Sequence, residues 1–404
     1  MKHMTIHKIW MGLLLSAASC VAHAEAKGVL PTGPAVGDQD ISPFYRWSQA
    51  LPPAPGQLLR EEAIPPANTP QHAGKAVRIL YTSQDVRWHS GIVPASGALY
   101  LPKGEAPANG WNLIVWAHGT LGVADSCAPS WAGANERDRD YIDRWLEKGY
   151  AVVAPDYQGL GGPGPHAYTI WESEGRSILD AARTALHMDS RIANRVVITG
   201  QSQGSGASIG AARLVATYAP DINVRGAIAT ALLPYFEDAT QPQDKASPGG
   251  SPHILIYRLI GGNLPDGSPP PEHYLTEKGR IVLEAARSGC AARMVAEREG
   301  ITASDAFSPS PDAVEAAVGP PGQMSPFKVT FPLMLGTGLA DEAIPPQRQE
   351  LAVHAMCRSG NTVIWKRYPG VHHSDTLPAS FEDAEAFARN VLNGQSVASD
   401  CNGL

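Results

Sequence analysis

Apolar residues recur along this chain in two rhythms. The first is the short uninterrupted run: residues 113–117 (LIVWA) and 151–154 (AVVA) are apolar throughout, and 195–199, 226–232, 330–336 and 362–367 read as further strands. Runs of this length without alternation are the profile of strands buried on both faces. The second rhythm is helical. Residues 138–148 place Tyr141, Ile142, Trp145 and Leu146 on one face, with Gly149 as a stop signal. Residues 174–187 do the same with Ile178, Ala182, Ala185 and Leu186, and 381–392 with Phe381, Ala384, Ala388 and Val391. Between the strands at 195–199 and 226–232 lies a helix of small residues, 205–218. A strand pair, 77–82 and 97–101, precedes the whole series. Strands alternating with helices of this length predict an α/β chain with a doubly wound, mostly parallel sheet.

Three stretches fall outside the alternation. Residues 1–24 open with Lys2, His3 and Lys8, continue with an apolar run from Ile9 to Ala18, and end on Ala22-His23-Ala24. That sequence of features predicts an export signal cleaved after Ala24, the apolar part being too short to span a bilayer. Residues 25–75 carry Pro52, Pro53, Pro55, Pro65, Pro66 and Pro70 and little periodicity, and read as an extended arm over the surface. Residues 234–328 hold no clear buried strand. Pro/Gly clusters at 247–252, 265–271 and 319–322 surround one long helical stretch, 275–299. An insertion of that length predicts a cap, or lid, dividing the core into a first part, 76–233, and a second part, 329–404.

Composition narrows the class. Charged residues are 18% and hydrophobic residues 43%, as in folded globular chains. With 32 Lys+Arg against 39 Asp+Glu, the formal charge of −7 carries no basic block, which argues against nucleic acid as a partner. No later segment reads as transmembrane. Beyond the leader remain Cys127, Cys290, Cys357 and Cys401, an even set that favours disulfides in a secreted or periplasmic protein and permits three pairings. None has metal-ligand spacing, and no metal or cofactor is implied.

The chemistry concentrates at Gly200-Gln201-Ser202-Gln203-Gly204, which follows the strand RVVIT and precedes a helix. A serine in G-x-S-x-G on a tight strand-to-helix turn presents its hydroxyl at the carboxyl edge of the sheet, and the two glycines give the turn room. Such a nucleophile needs a base and an acid to orient the base, in the chain order Ser…Asp/Glu…His. Asp341, after the strand 330–336, is the preferred acid, with the adjacent Glu342 as competitor. Of the paired His372 and His373 after 362–367, His373 is the preferred base. The oxyanion needs two main-chain N–H donors. Gln203 supplies one, and Gly119 or Thr120 in His118-Gly119-Thr120-Leu121-Gly122 the other; His118 reads as a loop anchor. The G-x-G-x-x-G at 159–164 is a decoy, since Pro163 and Pro165 block the helix a dinucleotide site requires.

PGQLLR (55–60), YTSQD (81–85), AHGTLGVADSCAPS (117–130), PDYQGLG (155–161), GQSQG and YPGVHHS together resemble the secretory lipase/esterase family of α/β-hydrolases. The resemblance implies an α/β-hydrolase core with an inserted helical cap, cofactor-free ester hydrolysis, and a triad of Ser202, Asp341 and His373, the last from the G-V-x-H-S pattern at 370–374. It further implies the pairings Cys127–Cys290 and Cys357–Cys401. Gln201 departs from the family, where an aromatic residue is common, and leaves the acyl-pocket wall undefined.

The expected function is therefore an exported serine hydrolase cleaving small-molecule or lipid esters through an acyl-enzyme, with transient contact to a lipid interface through the cap. A peptidase, amidase or acyltransferase on the same fold is the alternative, since fold and triad host many chemistries. Tyr235, Phe236, Tyr257 and Tyr274 are candidates for an acyl tunnel or for ordinary cap core.

Overall fold

The computed structural model describes residues 41–236, 250–319 and 323–403. The leader and its cleavage site, and the first sixteen residues of the arm, lie outside the described residues.

Among the described residues the strands β1 (Leu58–Ala63), β2 (Ala73–Gln84), β3 (Ile92–Pro102), β4 (Trp111–Ala117), β5 (Ala151–Pro155), β6 (Ile192–Gln201) and β7 (Val224–Thr230) come first. The two-residue β8 (Tyr235–Phe236) and β9 (Gln323–Met324) pair only with each other. β10 (Leu333–Gly338) and β11 (Val363–Tyr368) complete a nine-stranded sheet in the order β1-β2-β3-β5-β4-β6-β7-β10-β11. β1, β2 and β3 form an antiparallel edge that joins β5, and every pairing from β5 to β11 is parallel. This is the α/β-hydrolase arrangement, with the carboxyl ends of β4, β6 and β10 opening on one edge.

Helices cover both faces. On one side lie α1 (Pro129–Ala132) and α2 (Glu136–Glu147), the latter capped by the Asn135 side chain accepting from Asp138 N–H and burying Tyr141, Ile142, Trp145 and Leu146. On the other lie α3 (Trp171–Met188) and α4 (Gln203–Tyr218). The small residues of α4 allow a close crossing. A Cβ on Gly206 would meet the Trp171 ring at 2.5 Å, and one on Gly175 would meet Ala211 N at 2.7 Å. The chain between β7 and β10 contains α5 (His253–Ile260), α6 (Glu277–Ser288), α7 (Ala292–Arg298), α8 (Ala303–Ala306) and α9 (Pro311–Val318). These helices share an apolar cluster of their own, to which Val123 and Tyr168 of the main body contribute. α10 (Pro346–Arg358), α11 (Thr376–Ala379) and α12 (Phe381–Leu392) follow β10 and β11.

Several elements differ from the sequence expectation. The expected helix 275–299 is two helices, because Gly289 is fully extended (φ 176°) and Cys290 is drawn into a disulfide with Cys127. The arm contains an edge strand, β1, whose residues are half-exposed or exposed and so lack the alternation that marks a half-buried strand. The strand expected at 330–336 begins three residues later, at Leu333. α10 was not anticipated: its buried stripe includes Gln349 beside Ala352, Val353 and Met356, and this polar residue blurs the helical period.

Candidate active site

Ser202 occupies the turn between β6 and α4 with φ +58° and ψ −120°, outside the regions an L-residue favours. The turn is that tight because of its neighbours. A Cβ on Gly200 would overlap the carbonyl of Gly204, and a Cβ on Gly204 the carbonyl of Ala117 on β4. Ser202 is held by its own N–H to Thr230 O at 3.0 Å, and by Ser205 Oγ donating to its carbonyl at 2.6 Å. Strain is thus stored at one residue and enforced by the strands on either side.

The hydroxyl meets an imidazole. Ser202 Oγ and His373 Nε2 are 2.8 Å apart, and His373 Nδ1 faces Asp341 Oδ2 at 2.9 Å and Oδ1 at 3.1 Å. A carboxylate only accepts, so Nδ1 carries the proton and Nε2 is left with its lone pair toward the serine. Asp341 has a fully buried side chain and three further donors: the N–H groups of Ala343 (2.9 Å) and Ile344 (2.8 Å) on Oδ1, and Gln349 Nε2 (3.0 Å) on Oδ2. The carboxylate is therefore compensated and immobile before the imidazole is counted.

The competing pair is elsewhere. His372 and Glu342 face each other at 3.0 Å on the surface, where Glu342 raises the imidazole's basicity and His372 holds the carboxyl below its usual range. Both point away from Ser202 because their neighbours in sequence point toward it.

Gln203 opens α4, so its main-chain N–H has no acceptor within the helix. Gly119 lies alongside Ser202: a Cβ on it would meet Ser202 Cβ at 3.7 Å and Gln201 Oε1 at 3.0 Å. Thr120 Oγ1 is hydrogen-bonded to Tyr168 OH at 2.7 Å. His118 is pinned, Nδ1 donating to Gly119 O at 2.7 Å, while its carbonyl accepts from Tyr157 OH at 2.9 Å. The loop after β4 is thus fixed at its own His-Gly step and from β5's end.

Residues the sequence reading passed over also touch the site. The Gln201 side chain, which the sequence marks only as a departure from the family's common aromatic, donates from Nε2 to the carbonyl of His373 at 3.1 Å. His166 and Glu174 contact the Gln203 side chain (2.8 Å each), and nothing in their spacing signals it. Tyr257 packs in the apolar cluster shared by α5–α9 and Phe236 in the main core, while the Tyr235 side chain lies outside the described residues.

Disulfides join Cys127 to Cys290 and Cys357 to Cys401. The first ties the segment just after the His118–Gly122 loop to the α6–α7 corner. Arg87, at the tip of the β2–β3 hairpin, grips the same insertion through Gly262 O, Leu264 O (2.6 Å) and Asp266 (3.1 Å), and Asn263 donates to Tyr168 O at 2.8 Å. Among the described residues no group of three or more His, Cys, Asp or Glu is placed to hold a metal ion, and no helix is long and apolar enough to cross a membrane.

A family model described as secretory lipase matches residues 134–304. Two secreted triacylglycerol lipases of Malassezia furfur are each 24% identical. One match covers 65% of this chain and 52% of that protein, the other 96% and 85%. Among solved structures, Candida antarctica lipase A superposes with a TM-score of 0.64 at 19% identity, covering 86% of this chain and 84% of that one. At that identity the likeness speaks for the fold.

Proposed function

We propose, from the premise that this chain belongs to the secretory lipase family of α/β-hydrolases, that it is an exported carboxylic ester hydrolase working through an acyl-enzyme on Ser202. The observation that carries the reading is the unbroken line from Ser202 Oγ through His373 to the buried Asp341, at 2.8 Å and 2.9 Å.

Each step uses a group already oriented. His373 Nε2 takes the hydroxyl proton as Oγ attacks the ester carbonyl. Asp341 keeps the imidazole in the tautomer that can do so and stabilises the cation that forms. The negative charge on the carbonyl oxygen is met by the main-chain N–H groups of Gln203 and of Gly119 or Thr120, donors that need no rearrangement when charge appears. Collapse expels the alcohol with the proton from His373, and water, activated by the same imidazole, releases the acid. The disulfides fit the oxidising compartment an exported enzyme works in. Apolar side chains exposed on the insertion, Ile281 and Met294, support transient contact with a lipid surface.

The test is labelling by a fluorophosphonate alongside turnover of p-nitrophenyl esters and aminoacyl anilides. We expect one label per folded chain, lost in Ser202→Ala, together with ester turnover that exceeds anilide turnover. A Ser202→Ala enzyme with wild-type ester activity, or anilides preferred over esters, would overturn the proposal.

A further inference from the structure

The triad does not use a second polar cluster, buried beside the nucleophile. The Gln203 side chain is wholly buried, and its Nε2 lies 2.8 Å from Glu174 Oε1 and 2.8 Å from His166 Nε2. The imidazole's tautomer follows from its other nitrogen. Nδ1 faces the Gln158 carbonyl at 3.2 Å, which only accepts, so Nδ1 carries the proton and Nε2 accepts from Gln203. Each amide hydrogen of Gln203 therefore has one acceptor. Glu174 Oε1 takes a second hydrogen bond, from Thr169 N–H at 3.0 Å, and Thr169 adopts a left-handed φ of +62° in presenting it. Glu174 can reach across from α3 because α3 and α4 cross at Gly175 and Gly210, where a Cβ would collide with the opposing helix.

Two buried atoms in the cluster, Glu174 Oε2 and Gln203 Oε1, have no hydrogen-bond partner. A buried carboxylate left in that condition is far more costly than a neutral carboxylic acid. Burial accordingly pushes Glu174 up to about 8, against the opposing pull of the Gln203 and Thr169 hydrogen bonds. The titratable groups around it are His166, which burial drives down to about 3, Tyr157 stacked on that imidazole at 5.6 Å, and Tyr168. All three are neutral at pH 7, with His118 the next titratable group beyond His166.

We propose that Glu174 is a positioning residue for ester cleavage: acting through the Gln203 side chain, with His166 as the second anchor, it aims the main-chain N–H of Gln203 at the oxyanion. The inference rests on Ser202 being the nucleophile. It has a chemical corollary. Ionised, Glu174 places a negative charge behind the donor and opposes the negative charge growing on the substrate oxygen, so turnover should fall as Glu174 loses its proton.

The experiment is steady-state hydrolysis of p-nitrophenyl butyrate from pH 6 to pH 10 by wild type, Glu174→Gln and Glu174→Asp, with kcat normalised to sites titrated by fluorophosphonate so that only folded enzyme is counted. We expect a wild-type alkaline limb in kcat near pH 8. Glu174→Gln, which keeps an acceptor for Gln203 but cannot ionise, should hold kcat at pH 7 within about threefold and lose the limb. Glu174→Asp keeps the ionisable group but shortens its reach, and should lower kcat roughly tenfold with little change in KM while retaining a limb. A Glu174→Gln profile superimposable on wild type, or a Glu174→Asp enzyme with unchanged kcat, overturns the proposal. If the wild type is not labelled at Ser202, the nucleophile reading has failed instead; normal labelling with unaffected Glu174 variants removes only the positioning role.

Discussion

The side-chain amide of Gln201 donates to the main-chain carbonyl of His373 at 3.1 Å. The residue preceding the proposed nucleophile thus holds the loop that carries the proposed base, across 172 positions of sequence. Gln201 is buried, and its Oε1 lies toward Gly119 on the loop after β4. One side chain therefore stands between the three segments that the proposed mechanism needs to agree: those of Ser202, His373 and Gly119. Its placement follows from β6, which pairs with β4 on one side and β7 on the other and so brings its last residue between the loops that leave the sheet.

Replacing Gln201 by Met keeps roughly the volume and removes the donor. The His373 carbonyl loses one hydrogen bond of ordinary strength, about 1 kcal/mol, so the expected loss in kcat is about fivefold to tenfold with KM nearly unchanged. Active-site-titrated kinetics on a p-nitrophenyl ester read this directly. A Gln201→Met enzyme with wild-type kcat would mean that the base loop is held adequately without it.

The adjacent histidines should separate cleanly. His373→Ala removes the only imidazole within reach of Ser202 Oγ among the described residues and should cost at least about 10⁴-fold in kcat. His372→Ala breaks an exposed ion pair with Glu342, and exposed pairs contribute little; activity within about threefold of wild type is expected. Asp341→Asn and Glu342→Gln should repeat the contrast, since of the two carboxylates it is Asp341 that contacts the His373 imidazole. Comparable losses at positions 372 and 373 would contradict this assignment.

Much of this arrangement was legible before any coordinates. G-x-S-x-G between an apolar strand and a small-residue helix carries its own geometry, because only that context lets Gly200 and Gly204 pack as they do. The strand runs were readable where burial on both faces leaves no polar position, as in β4 and β5. What stayed hidden depends on three-dimensional neighbours. β1 is an exposed edge strand, α10 carries a buried Gln349 whose purpose is to reach Asp341, and Glu174 looks like an ordinary acidic residue in the first turn of a helix. The α6–α7 break follows from Gly289 and Cys290, two residues that a helical average over 275–299 conceals.

The two disulfides should differ in what they protect. Cys127–Cys290 closes a separation of 163 residues and Cys357–Cys401 one of 44. On the chain-entropy account the longer closure stabilises by about 1 kcal/mol more. Cys290→Ala with Cys127→Ala should lower the unfolding midpoint further than Cys357→Ala with Cys401→Ala, and only the former should make the α6–α7 corner newly sensitive to limited proteolysis. Equal shifts and equal cleavage would show that Arg87 and Asn263 hold the insertion without the covalent tie.

Glu174 also makes a prediction about folding that is independent of turnover. Its folded value of about 8 lies above the unfolded value of 4.5, so between those limits the folded chain holds a proton that the unfolded chain has released. Stability from this group is fully present below pH 4.5 and is lost as pH rises through about 8, at up to about 1.4 kcal/mol per pH unit inside the window. Glu174→Gln removes the titration while keeping a group that can accept from Gln203. The variant's unfolding midpoint should therefore gain on the wild type steadily from pH 5 to pH 8, with the gap levelling off above that. His166 runs the opposite way: driven down to about 3 from 6.5, it contributes stability above pH 6.5 that is lost as pH falls toward 3. A midpoint difference between wild type and Glu174→Gln that is flat from pH 5 to pH 9 would mean that the carboxyl is ionised in the folded protein throughout, with a compensating charge or water beside it.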